Sequence, residues 1–318
     1  MRFHPGSISI FAVIAASFIV LPLVVDLGSS TMNILILLFV YIILSQSWNL
    51  LGGYTGQINL GFAAFFGCGV LITHLLWKSG VPIYLAIIVG GLSAALLAGV
   101  IGLPTLHLRG AYFAIGTIAL AEALRIVMGN IFPSSLSLPG SYASNFNVFP
   151  RYYLGFGIAV LTLVSAYLLV RSKFGLAMVC VRDDEEAAQV TGINTFKTKF
   201  IALLISAFLA GLAGGVYAFN RFYFHHISAV FEPIWTFEPL MAVVIGGSGT
   251  LIGPVIGSIF LVVLSEIFAQ ILGEAHLIIF GFLLIPVVLY SPSGLVGWVD
   301  WLRKVIGGFG KPPAGEKR

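Results

Sequence analysis

Charged side chains are scarce in this chain, at 9% of 318 residues, where a soluble domain of that length carries about a quarter. The shortage excludes water as the main solvent, and the mean hydropathy of +1.05 points the same way. Cysteine is nearly missing too. Cys68 and Cys180 are only two, lie far apart in the chain and fall on different sides of the expected membrane topology, so no disulfide framework or cysteine zinc site is expected. The adjacent His225 and His226 have no carboxylate or cysteine at ligand spacing, so they read as part of an interfacial aromatic segment and no metal is expected. GxxxxGK(S/T), HExxH, GxSxG and CxxC are all absent, and the GSGTLIG run from Gly247 misses the dinucleotide spacing. The chain cannot cradle ATP in a phosphate-binding loop, and no enzyme activity or cofactor of its own is expected. Its basic residues form no stripe interleaved with aromatics, which excludes nucleic acid as a partner.

What the chain has in plenty is apolar runs. Ten come near the roughly 20 residues that a spanning helix needs: 8–25, 32–51, 59–77, 82–103, 111–128, 153–170, 200–219, 234–249, 253–272 and 276–290. The run 8–25 is longer than a signal-peptide core, and no A-x-A-like site follows it, so it reads as a retained helix. Basic residues orient the bundle. With the N-terminus inside, twelve lie on the cytoplasmic side: Arg2, Arg109, the five of 171–199, and Arg303, Lys304, Lys311, Lys317 and Arg318. Only Lys78, Arg151 and Arg221 lie outside. The expected fold is an all-α polytopic bundle of about ten transmembrane helices with both termini cytoplasmic. It forms one domain over 1–318, with a cytoplasmic loop at 171–199 and a basic cytoplasmic tail at 303–318.

The loop 171–199 holds five of the 16 basic and four of the 12 acidic residues. Asp183 or Asp184 can cap a short helix there, with Glu185 and Glu186 in its first turn, where the helix dipole favours acids. Ala187, Ala188 and Val190 follow, and Gly192 suits the position just past the end. Two turns of helix are not stable alone in water, and an acidic first turn suits a protein groove better than an anionic membrane, so the helix is expected to dock on a soluble motor. The alternative is an amphipathic helix resting on the bilayer or on this protein's own helix ends. Large charged residues at Ala188 and Gly192 should then uncouple transport and leave the fold intact.

Two glycine-rich connections carry no charge: GGYTGQINLG at 52–61 and GGSGTLIGPVIG at 246–257. Irregular backbone at membrane depth survives where protein buries it or a water-filled cavity meets it, and broken helices of this kind line transport paths. Close helix packing through small-xxx-small contacts is the alternative. The candidate path residues are Gly52, Gly53, Tyr54, Gly56, Gln57, Asn59, Phe62, Gly246 and Gly247, with Glu122 from the fifth segment. Glu122 and Arg125 are three apart, share a helix face and can pair. A charge pair inside a membrane is a functional candidate or a packing lock. Glu266, in the ninth segment, needs a cation or a proton.

The string GLAMVCVRDDEEAAQVTGINTFKTK at 175–199 resembles the corresponding loop in permeases of branched-chain amino acid ABC importers. Four more stretches resemble the same family: SWNLLGGYTGQINLGFAAFFGCGVL at 47–71, GAYFAIGTIALAEALRIV at 110–127, SAFLAGLAGGVYA at 206–218 and GGSGTLIGPVIGS at 246–258. Together they cover most of residues 45–265 and point to the LivM-type subunit. The resemblance implies a multi-pass protein of a bacterial or archaeal cytoplasmic (inner) membrane. Its implied partners are a second, LivH-like permease, two ABC ATPase subunits that bind the ATP, and a periplasmic or lipid-anchored substrate-binding protein. Glu186, Ala187, Ala188 and Gly192 match the family's ATPase-contacting loop, so the coupling set is Asp184, Glu185, Glu186, Ala187, Ala188 and Gly192. Many relatives have a histidine where this chain has Phe62. A urea or short-chain amide importer shares these motifs, and an ion-coupled secondary transporter is the reading from another class. The latter would lean on Glu122 and Glu266 and would not need the 171–199 helix.

Overall fold

The computed structural model describes residues 28–133, 136–138, 147–221, 223–272 and 294–295, together with residue 22. The expected spans 8–25 and 276–290 and the tail 303–318 fall outside these, residue 22 apart. The other eight expected segments are helices. α1 (Ser29–Asn49) continues as a π-helical turn (Leu50–Tyr54), and α2 (Ala63–Lys78), α3 (Ile83–Thr105) and α4 (Ala111–Ile131) follow. After a short strand β1 (Leu136–Ser137) come α5 (Val148–Arg171), α6 (Lys173–Asp183), α7 (Glu185–Val190) and α8 (Thr195–Asn220). β2 (Tyr223–Phe224), a 3-10 turn (Ile227–Phe231), α9 (Ile234–Gly246) and α10 (Gly253–Leu272) complete the order. Among the described residues, six helical stretches are long and apolar enough to cross a membrane, one of them the 3-10 turn together with α9, and α2 is apolar but shorter.

Several boundaries differ from the sequence reading, for local reasons. Asn147 and Asn194 cap α5 and α8, their side chains accepting from the backbone amides of Phe149 and Lys197. Both helices therefore begin five residues before the apolar run, with Lys197 and Lys199 inside the first turns of α8. The third span starts at Ala63 instead of 59, because the Asn59 side chain accepts from the Gly61 amide at 2.8 Å and holds a turn there. The second runs on through Gly52 and Gly53, where a loop was expected.

α1 and α8 are buried along most of their length, as helices apolar on every side should be. α8 crosses α2 and α3 where all three backbones come together. A β-carbon on Gly69 would run into the Gly211 carbonyl, one on Gly214 into the Phe66 carbonyl, and one on Gly211 would lie 2.6 Å from Ala94 Cβ. Small residues let helices approach this closely where apolar lipid supplies no hydrophobic drive. The outer face of α3 is different: Leu85, Ile88, Leu92, Leu96 and Val100 form an exposed apolar stripe, suited to lipid.

The helix ends sort into two sets. At one end Arg109 meets Glu186 at 3.4 Å, and Arg182 meets the π turn. At the other, β1 pairs antiparallel with β2, and Arg151 lies over the Phe219 ring, which packs on Trp77. Arg109 thus shares an end with the polar segment 171–199, as the charge count expects, and Arg151 lies at the opposite end.

Candidate functional site

The two glycine-rich connections meet, and Asn49 joins them. Its side-chain amide donates to the Thr250 carbonyl and its oxygen accepts from the Gly249 amide, both at 2.8 Å. The fully buried Asn49 thereby pairs with the 247–252 turn as a neighbouring strand would. Gly53 lies so close that a β-carbon there would be 2.6 Å from the Gly249 nitrogen. Gly249 has φ +70°, in the region that favours glycine. Thr250 closes the turn by donating to the Gly247 carbonyl and accepting from the Gly253 amide that starts α10.

From this junction the chain runs back into the bundle. Trp48 Nε1 donates to the Asn59 carbonyl at 2.8 Å, and the amides of Leu60 and Ala63 donate to the hydroxyls of Thr117 and Thr236. These polar groups find protein partners, as irregular backbone in a membrane requires. The structure divides the candidate path residues. Gly52, Gly53, Gly246 and Gly247 gather at the junction. Tyr54, Asn59 and Phe62 point into the protein, Asn59 and Phe62 almost completely buried. On this stretch Gly56 and the unpredicted Ile58 are exposed, and Gly52, Gln57 and Leu60 are half-buried. Within this chain, then, Tyr54, Asn59 and Phe62 line no open surface, because their side chains pack between helices.

Glu122 and Arg125 form a bidentate pair on α4: Arg125 Nε reaches the two carboxylate oxygens at 3.0 and 2.9 Å, and Nη2 reaches Oε1 at 2.5 Å. Both side chains are about one-third exposed, at 33% for Arg125 and 38% for Glu122. They lie near the middle of a 21-residue helix, on a face that the described residues leave partly uncovered. Glu266 is half-buried on α10. A third carboxylate, Glu238 on α9, goes unread in the sequence although it stands in plain view within an apolar segment. It accepts a hydrogen bond from the Tyr41 hydroxyl, tying α1 to α9 beneath Trp235, whose ring stacks on Phe66 at 4.3 Å.

The polar segment holds two helices. α6 is not expected from the sequence, and Ser172 caps it by accepting from the Gly175 amide. α7 is the expected short helix. Asp184, of the two candidate caps, accepts from the amides of Glu186 and Ala187 at 2.9 and 3.0 Å. At the other end the Gly192 amide donates to Gln189 O and the Ile193 amide to Ala188 O, a Schellman closure with Gly192 at φ +87°. Glu185 bonds Lys199 of α8 at 2.5 Å, and the lysine is only 3% exposed. Glu186 is exposed and faces Arg109.

Large charged residues at Ala188 and Gly192 would not leave the fold intact. Ala188 is buried, turned inward on the same face as Glu185. A large charged residue there would push α7 off the bundle, and any side chain at Gly192 strains the turn by about 1 kcal/mol or more. The large apolar residue that α7 presents outward is Val190, 90% exposed, beside the exposed Glu186, Ala187 and Gln189. Arg182, unremarked in the sequence, reaches from α6 to the π turn, its Nη1 3.1 Å from the Gly53 carbonyl oxygen.

Residues 30–288 match the family described as branched-chain amino acid transport system / permease component. The chain is 27% identical over 308 residues to the high-affinity branched-chain amino acid transport system permease protein LivM of Escherichia coli, covering 86% of this chain and 71% of that one. It is 25% identical over 187 residues to the nucleoside ABC transporter permease protein NupC of Lactococcus lactis, covering 51% and 59%. With the ribose import permease protein RbsC of Bacillus subtilis it shares 26% over 217 residues, covering 64% and 66%. No solved structure matches the chain.

Proposed function

Because the chain belongs to the family of permease components of branched-chain amino acid transport systems, we propose that it is the LivM-type membrane subunit of an ATP-driven importer of leucine, isoleucine and valine. It is a multi-pass inner-membrane protein. In this reading ten helices cross the membrane with both termini cytoplasmic, and a second, LivH-like permease completes the path. A periplasmic or lipid-anchored protein delivers the substrate. Two ATPases bind and split the ATP, so this chain needs no cofactor.

The observation that carries the reading is the unit α6–α7. It is a pair of capped helices packed on the end of the apolar bundle, with Met178 and Ala188 buried against it, tied into α8 by Lys199–Glu185, and with Val190 offered at its surface. A second feature supports a path beside α4. Charges at mid-membrane cost about 2.5–3.5 kcal/mol each on insertion scales, so the face bearing Glu122 and Arg125 suits water or a partner protein better than lipid.

ATP-driven movement would then shift the balance between outward- and inward-facing arrangements of the helices, with α7 as the point of contact. Val190→Asp tests that contact. Uptake is expected to fall about tenfold or more, because the carboxylate would be desolvated at the docked surface. The amount of protein in the membrane should not change. Normal uptake in the variant would remove α7 from the coupling.

The E. coli relative supports a branched-chain amino acid as substrate, whereas the nucleoside and ribose relatives make other cargoes the alternatives. Uptake of labelled leucine, urea, guanosine and ribose, with and without this chain in the source cell, decides among them. Loss of leucine uptake alone is expected. Loss of another cargo alone would move the substrate and leave the mechanism in place.

A further inference from the structure

We infer that Arg182 is the positioning residue through which movement of the α6–α7 unit reaches the glycine junction; this rests on the importer reading above. The last carbonyls of a helix have no partner within it. At the end of the π turn, Thr55 Oγ1 takes the Leu50 carbonyl at 3.1 Å and the Gln57 amide takes that of Leu51 at 3.1 Å. The Gly53 carbonyl is taken from outside, by Arg182. A cation at a helix C-terminus also complements the dipole.

The same guanidinium holds a second group. Its Nε and Nη2 lie 3.1 and 2.9 Å from Asp183 Oδ1, one residue before the cap of α7. One side of the fork therefore grips the α6–α7 corner, and the other grips α1. Two glycines make room for it: a β-carbon on Gly56 would lie 2.9 Å from Arg182 Cγ, and one on Gly249 3.0 Å from Nη1. Asn49 then joins Gly53 to Gly249 and Thr250, and so to the turn between α9 and α10. A displacement of the corner pulls on the end of α1 and, through Asn49, on α9 and α10. Lys199–Glu185 carries a separate tie into α8. The Arg182 side chain stays partly exposed, so solvent can take the contact's place when the corner moves.

Arginine's planar fork holds both acceptors in a fixed geometry, whereas a lysine ammonium offers three donors from a single point on a flexible stem and spans the two less well. The test uses the complete importer in vesicles, with Arg182→Met and Arg182→Lys, and reads substrate moved per ATP hydrolysed. Both variants should keep their ATP hydrolysis. The ratio should fall roughly tenfold to a hundredfold for Met, the range that one charge-assisted hydrogen bond makes in a two-state balance, and by less for Lys. A wild-type ratio in Arg182→Met would overturn the inference. If that variant does not assemble, Arg182→Lys decides, and an unchanged ratio there overturns it. A wild-type complex whose uptake does not depend on ATP would instead sink the importer reading, and this one with it.

Discussion

Gly211→Val is expected to prevent the protein from accumulating in the membrane. Even a methyl at this position meets Ala94 Cβ at 2.6 Å, Gly91 Cα at 2.9 Å and the Gly90 oxygen at 3.0 Å. Two of those three are backbone, so no rotamer change can clear them, and valine brings two more carbons. Overpacking usually costs about 1–3 kcal/mol, and a clash against backbone belongs at the top of that range or above. The affected crossing joins α2, α3 and α8, which leaves no neighbouring contact to compensate. Gly157→Val is the control, because a side chain there meets nothing within 4 Å. The measurement is the level of each variant in the membrane fraction and its elution as a single species in detergent. Equal levels for the two would mean that the three-helix crossing can widen at little cost.

The second large effect is asymmetric. Glu185→Gln leaves the Lys199 ammonium, 3% exposed, facing a neutral amide, whereas Lys199→Met leaves Glu185, 27% exposed, free to turn toward water. Removing one member of a buried ion pair costs about 3–5 kcal/mol, and the partial exposure of Glu185 puts the expected loss for Glu185→Gln near the lower end, about 3 kcal/mol. Lys199→Met should cost clearly less, and the double variant should recover much of the loss because no charge is left buried. Thermal unfolding of the four proteins in detergent, followed by tryptophan fluorescence, checks the order. Equal stability of Glu185→Gln and Lys199→Met would contradict it.

Much of this architecture is legible in the sequence, because spans and caps are local. The apolar runs show eight helices where the structure has them, and Asp184 and Gly192 mark both ends of α7. α6 escapes because its 11 residues mix polar and apolar side chains, too few for a span and too little patterned for a clear amphipathic stripe. The starts of α5 and α8 escape because polar first turns are invisible to hydropathy, although Asn147 and Asn194 are the caps that could have shown them.

The site is harder to read. Asn49 meets Gly249 across 200 residues, and Tyr41 meets Glu238 across 197. A single sequence carries no signal for such distances, so the glycine segments are legible as unusual but not as partners of each other. The direction of Ala188 is partly legible: Glu185 and Ala188 are three apart and share a face. What decides that this face turns inward is Lys199, in the next helix.

The double closure of α7 has a further consequence for speed. Six residues of free helix would have to freeze on contact, and the entropy lost would weaken and slow every encounter. Asp184 at one end and the Ile193–Ala188 bond at the other do that freezing beforehand. With α7 docked on an ATPase as proposed above, such a preformed tip would engage and let go in every round of work without melting, and the flexibility of the cycle would fall to the helices behind it.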